Sequence, residues 1–167
     1  MAFSSLKKIY TPAEALGRMR KYCAYQERSH QEVRTKLLQL GLRGNDLENV
    51  KVRLIDEGFL NEERFAVAFA GGKFRMKNWG RKKIGQQLKA KGISDYCINK
   101  AMKEIDDGAY RKSLKQLLDK KTASLKDKNI FTRKQKLSNF LIGKGYEQEL
   151  VWEEVKKYFE DCDKQNL

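Results

Sequence analysis

Apolar residues recur along this chain at helical spacing, and three of the stripes end in the same way. Val33 and Leu37 lead to Gly41 and Leu42, Ile84 and Leu88 to Gly92 and Ile93, and Leu137 and Leu141 to Gly145 and Tyr146. Two apolar residues four apart share one helical face. The glycine four positions later suits the left-handed residue that closes a helix, where it costs least. Gly41 to Gly92 is 51 residues and Gly92 to Gly145 is 53, so the chain repeats with a period near 52. The six stripe residues are expected to be buried, and Gln39, Lys91 and Lys144 exposed.

Helix-start signals divide each repeat into three. Thr11, Pro12 and Glu14 combine an N-cap, a first-turn proline and a capping-box acid. Ser29 with Glu32, Asn45 with Glu48, and Thr132 with Gln135 read as further capping boxes, whereas Asn61 and Ser94 are weaker starts. The predicted helices are 12–26, 29–40 and 45–57, then 61–77, 81–91 and 95–105, then 108–124, 132–144 and 147–160. The fold class is therefore all-α: three tandem three-helix repeats (12–60, 61–105 and 106–161) in an elongated array that can curve. Each unit is small for a lone core, so the units are expected to lean on one another. Repeat one is expected to insert Arg43, Gly44 and Asn45 before its third helix. Repeat three carries the longest internal connection, 124–130, a polar segment expected to be the most mobile. The middle repeat has the most apolar first helix, as a unit covering two neighbours needs.

Composition agrees. There is one proline and 35% of residues are charged, which suits helices with wet outer faces. The uncharged run Phe65 to Gly72 is far too short to span a membrane, and residues 1–10 lack the apolar core of a secretion signal. A cytoplasmic monomer is expected. Cys23, Cys97 and Cys162 are widely separated, with no CxxC and only His30 for company, so they read as reduced thiols. No metal and no cofactor is expected.

Charge changes the picture more. The net charge is +14. Residues 61–105 hold 11 basic and 4 acidic side chains, a net of +7 and half of that excess. Lys73, Arg75, Lys77, Arg81, Lys82 and Lys83 fall within eleven residues, around Trp79. Arg81, Lys82 and Lys83 sit in a predicted first turn, where the helix dipole disfavours cations. Arg133, Lys134 and Lys136 repeat this in the third unit. Free helix-start N–H groups beside such cations would form an anion site for phosphate or an acidic partner surface. Reversing Arg81, Lys82 and Lys83 to Glu is expected to weaken that contact and to spare the fold. Trp79 suits either stacking or half-burial at the helix corner.

Catalytic chemistry finds no residues. Ala70 to Phe74 resembles a phosphate loop only superficially, lacking its first glycine and its Ser or Thr. Ile142 to Gly145 resembles half of a helix–hairpin–helix, yet its first glycine is missing from the other copies. No nucleophile–base pair or paired carboxylates emerge.

Three stretches resemble the RecX family of bacterial recombinase regulators. They are Gly58-Phe59-Leu60-Asn61-Glu62-Glu63-Arg64-Phe65-Ala66, Trp79 to Ile84, and Leu88 to Ile93, supported by Arg28, Ser29, Glu32, Val33 and Leu37. The likeness covers about 13–160 and is weakest in the third repeat. It implies three tandem three-helix repeats and no catalytic residues. It also implies a partner, the RecA recombinase and its DNA filament, whose growth, ATPase and strand exchange are restrained in DNA repair, recombination and the SOS response. The basic surface would add contact with single- or double-stranded DNA. Two rivals remain: a free-standing nucleic-acid binder of Myb-like or helix-turn-helix units, and a scaffold for another acidic protein. Myb repeats keep several tryptophans per unit, whereas only Trp79 and Trp152 occur here.

Overall fold

The computed structural model describes residues 8–165, with side chains through Asp161, so the Cys162 thiol and residues 1–7 lie outside the described residues. Nine helices appear among those described. They are α1 (Pro12–Tyr25), α2 (His30–Gln39), α3 (Gly44–Asp56), α4 (Glu62–Lys77), α5 (Arg81–Ala90), α6 (Asp95–Lys103), α7 (Asp107–Ser124), α8 (Ile130–Gly143) and α9 (Gln148–Gln165). Helices pack in consecutive threes, α1 with α2 and α3, α4 with α5 and α6, and α7 with α8 and α9.

The glycine turns govern this arrangement. Gly41, Gly92 and Gly145 have φ of 92°, 75° and 97°. Beyond each, the chain doubles back so that the next apolar residue bonds into the helix it has just left. Leu42 donates to the Leu37 carbonyl at 3.1 Å, Ile93 to Leu88 at 3.1 Å, and Tyr146 to Leu141 at 3.3 Å. With the companion bonds Gly41 to Leu38, Gly92 to Lys89 and Gly145 to Ile142, this is a Schellman motif made three times. Val33, Leu37, Ile84, Leu88, Leu137 and Leu141 are each 0% exposed, so the repeat alignment is a packing alignment.

Several expectations need correction. Gln39 is exposed, but Lys91 and Lys144 are half-buried. Lys91 reaches Glu32 at 3.1 Å and passes over Phe65 and Phe69, and Lys144 lies over Phe140, so both stems cover apolar surface. Repeat one has no insertion: residues 40–43, 91–94 and 144–147 are connections of equal length. Its third helix simply starts at Gly44, behind Arg43, with no side-chain cap. Glu48 is consequently no capping-box acid and instead pairs with Arg34 and Lys51. In repeat three, Asn129 caps α8 by accepting from the Thr132 N–H at 3.0 Å. That helix begins before Thr132, which places Arg133, Lys134 and Lys136 beyond its dipole-sensitive start. The boxes at Thr11–Glu14 and Ser29–Glu32 form as expected.

The buried side chains make two cores. One joins Ala15 through Leu60 within the first repeat. The other runs from Phe65 to Phe159 and unites the second and third. Between them the contacts are largely polar: Arg64 reaches Glu27 at 2.9 Å and the Gly58 carbonyl at 2.8 Å, and Lys91 meets Glu32. Truncations should therefore propagate unequally. Leu37→Ala and Leu88→Ala should each cost about 2–5 kcal/mol, as large-to-small core changes do. In native-state hydrogen exchange, Leu37→Ala should lower protection in α1–α3 and leave α5 and α8 near wild type. Leu88→Ala should lower α4–α9 together; equal loss along the whole chain in both variants would contradict two cores.

Candidate binding interface at the α4–α5 corner

The corner forms because α4 ends on Asn78, whose left-handed φ of 51° turns the chain through Trp79 and Gly80 into α5. Gly80 is required there. A Cβ at Gly80 would overlap the Gly145 carbonyl, so the corner of repeat two and the glycine turn of repeat three touch backbone to backbone. That contact closes the anion site expected at the start of α5. The Gly80 N–H donates to the Lys144 carbonyl at 2.9 Å and the Lys82 N–H to the Gly145 carbonyl at 3.0 Å. The Arg81 N–H donates to the Tyr110 hydroxyl at 2.9 Å. These three donors have protein partners and are no longer free.

Arg81 points inward. Its guanidinium donates to the Ile105 carbonyl at 2.8 Å and to Asp107 at 2.6 Å, and lies 4.2 Å from the Tyr110 ring centre. The first-turn cation that looked misplaced is thus a brace between α5, the α6–α7 connection and α7, and reversing it would break the fold it was expected to spare. Tyr110 is the hub. Its hydroxyl accepts from Arg81 and donates to Glu147 at 2.7 Å, while its ring packs on Phe74 and Tyr146. Burial, then the bond to Glu147, pushes the phenol's pKa far above its usual value, so it stays protonated and keeps both bonds. Ser113 adds a bond to Asn78 at 3.3 Å. None of Tyr110, Ser113, Asp107 and Glu147 was singled out in the sequence, because their partners lie 26 to 37 residues away.

The other cations face out. Arg75, Lys77 and Lys82 are exposed, and Lys73, Lys83 and Trp79 are half-buried. Lys73 and Lys83 lie 5.2 and 4.8 Å from the Trp79 ring centre, so the indole gathers two cations beside it. Ion pairs of the middle repeat are made by Arg64, Arg81, Lys89, Lys91 and Lys100. Among the described residues Lys73, Arg75, Lys77, Lys82 and Lys83 make none. A cleft of about 450 Å³ opens beside Lys73 and Trp79 towards Glu27 and Glu32 of repeat one. A second of about 420 Å³ opens beside Lys82 and Lys83 towards the α8–α9 turn. Gln87 borders both, so the outer face of α5 links them.

The third-repeat cations are placed elsewhere and are mostly engaged. Arg133 and Lys134 lie over Phe159, and Lys136 pairs with Asp127 at 2.8 Å. Cys23 and Cys97 are buried thiols, and no group of three His, Cys, Asp or Glu side chains gathers among the described residues. No described helix is long and apolar enough to cross a membrane.

Two changes test the brace. Tyr110→Phe strands the Arg81 N–H and the Glu147 carboxylate and should cost about 1–3 kcal/mol in denaturant unfolding. Gly80→Ala should cost at least as much, because backbone has to move, and should lower protection in α5 and α8 while α2 stays near wild type.

Family models match this arrangement. The second three-helix domain of RecX matches residues 61–102 and the third matches 110–154. The Regulatory protein RecX of Pelodictyon phaeoclathratiforme is 31% identical over 81% of each chain. That of Escherichia coli strain SMS-3-5 is 29% identical over 95% of this chain and 98% of its own. A crystal structure of a regulatory protein RecX superposes with a TM-score of 0.79 at 23% identity, over 87% of this chain and 71% of that one, a likeness of fold. On the matched domains and on that identity across four-fifths of its length, this chain belongs to the RecX family of regulatory proteins.

Proposed function

We propose that this protein is a non-enzymatic regulator that binds the RecA recombinase on its DNA filament and restrains filament growth, ATP hydrolysis and strand exchange. It acts as a monomer in the cytoplasm, in DNA repair and recombination. One observation supports this beyond family membership: five cations without acidic partners stand on the α4–α5 corner, between two clefts that the α5 face connects. In the same repeat Arg64, Arg81, Lys89, Lys91 and Lys100 are spent on internal pairs and these five are not, which leaves them for an external anion. The filament supplies one, as DNA phosphate or as acidic protein surface, and the attraction is screened by salt.

Recognition at this corner is by side chains, since the Gly80, Arg81 and Lys82 N–H groups are bonded to protein. The residues proposed to carry it are Lys73, Arg75, Lys77, Trp79, Lys82 and Lys83. Arg133, Lys134 and Lys136 of repeat three are secondary contacts, and Arg81 holds the corner in shape.

Lys77→Glu with Lys82→Glu should weaken co-sedimentation with recombinase filaments on single-stranded DNA about tenfold, or 1.4 kcal/mol. The variant should also flatten the salt dependence, because fewer counterions are released. Wild-type protein should slow the recombinase's DNA-dependent ATPase while hydrolysing no nucleotide itself. Wild-type sedimentation by the variant at low and moderate salt would return these lysines to a solubilising role. Tight binding to naked duplex at physiological salt, without recombinase, would favour a free-standing nucleic-acid binder.

A further inference from the structure

A cleft of about 790 Å³ lies on the first repeat, away from the α4–α5 corner. Residues 8–10 help to form it, held in place where the Tyr10 N–H donates to the Leu40 carbonyl at 3.1 Å. Four cations line it: Lys8, Arg18, Lys21 and Lys36. The one acid is Glu14, which is committed to Thr11, accepting from its N–H at 2.9 Å and its hydroxyl at 3.1 Å. Four cations against one acid leave a local excess of +3.

The rest of the repeat shows that this excess is local. Arg20, Arg34, Lys51 and Arg53 all pair with Glu48 or Glu57. Arg43 donates to the Leu38 and Leu42 carbonyls. The cations that find no acid among the described residues are those of the cleft, Arg28 against its wall, and Arg43, whose guanidinium is taken by the two carbonyls. This pattern calls for an anion from outside.

The walls narrow what that anion is. Tyr10 has Arg18 at 4.5 Å and Lys8 at 5.0 Å from its ring centre, and Tyr22 has Arg28 at 3.9 Å and Lys36 at 5.9 Å. Cations already sit against both rings, so a nucleobase would compete with them for the ring faces, which argues against a single strand. The lining is also partly apolar, with Leu40 beside the two rings, and an inorganic anion would leave that surface wet. Lys8, Arg18 and Lys36 are held against the rings, which lowers the entropy cost of meeting a ligand. We propose that this cleft docks an acidic segment of a partner protein, one that sets an apolar side chain between carboxylates. The site is separate from the α4–α5 corner and does not depend on the identity of the corner's partner.

The test uses the whole protein and a short fluorescein-labelled peptide of Asp, Glu, Leu and Phe, followed by anisotropy. Lys21→Glu with Lys36→Glu should weaken binding about tenfold or more, roughly the 1.4 kcal/mol of one decade. Lys112→Glu with Lys120→Glu, two exposed lysines of α7, changes the charge equally and should bind the peptide as wild type does. Replacing Leu and Phe of the peptide by Ser should also weaken it, and oligodeoxythymidine should compete poorly. Because a glutamate at 36 opposes the C-terminal dipole of α2, Lys21→Gln with Lys36→Gln repeats the measurement in a milder form. Equal losses in the two charge-matched variants would overturn the proposal, as a general field would then suffice. So would oligodeoxythymidine displacing the peptide and itself being lost with Lys21 and Lys36.

Discussion

Reversing the chain at the end of each second helix needs a residue with positive φ, which an ordinary side chain resists by roughly 1–2 kcal/mol. Gly41, Gly92 and Gly145 meet that need, and each sends the following apolar residue back under the helix it ends. The third copy does more. Its carbonyls at Lys144 and Gly145 take the N–H groups that open α5, which fastens the third repeat to the second through backbone atoms. Two glycines are needed for that approach, since Gly80 faces Gly145 with no room for a Cβ on either. Tyr110 then fills the remaining angle and ties Arg81 to Glu147.

Among the described residues this fastening has no counterpart between the first and second repeats. There the junction is built from Arg64 with Glu27 and Lys91 with Glu32, pairs that are about a third to a half exposed. Pairs of that exposure are worth about 0–1 kcal/mol each and weaken with salt. A shared apolar core of leucines and tyrosines is worth far more, at about 1.5–3 kcal/mol per buried large side chain. The protein therefore behaves as a firm block of two repeats with a third attached by a softer joint. The family-like stretch 58–66 lies at that joint, and its residues act locally: Asn61 caps α4, Glu62 receives Ser94 at the start of α6, and Arg64 crosses to the first repeat.

Where local chemistry decides, the sequence was readable. The stripes, the left-handed glycines and the caps at Thr11, Ser29, Asn61 and Ser94 depend on neighbours within four or five positions, and they form as expected. Asn45 and Thr132 misled because each lies inside a helix that starts before it. Helix α3 extends back to Gly44 without a cap, and α8 gains its first residues from Asn129. The proposed binding site was legible as a set of charges but not as a geometry. Nothing near Arg81 in the sequence shows that a tyrosine 29 residues on takes its N–H, or that carbonyls beyond residue 140 close the helix start. The repeat-one cleft was missed for a related reason. Its cations are scattered from Lys8 to Lys36, and only the pairing of their neighbours with Glu48 and Glu57 isolates them.

Closing the α5 N-terminus changes what kind of recognition the corner supports. A helix start with free N–H groups holds an anion at a fixed place and orientation. Lysines on flexible stems hold it loosely, as mobile point charges that tolerate variation in the partner's geometry. Such contacts give attraction and speed of encounter more than tight registration. Registration at this surface therefore has to come from its rigid parts: the half-buried Trp79, fixed by the Gly80–Gly145 contact, and the cleft walls on either side of α5. In the proposed binding the brace at Tyr110 then matters without touching a ligand, because it sets the angle at which those walls and the lysines are presented together.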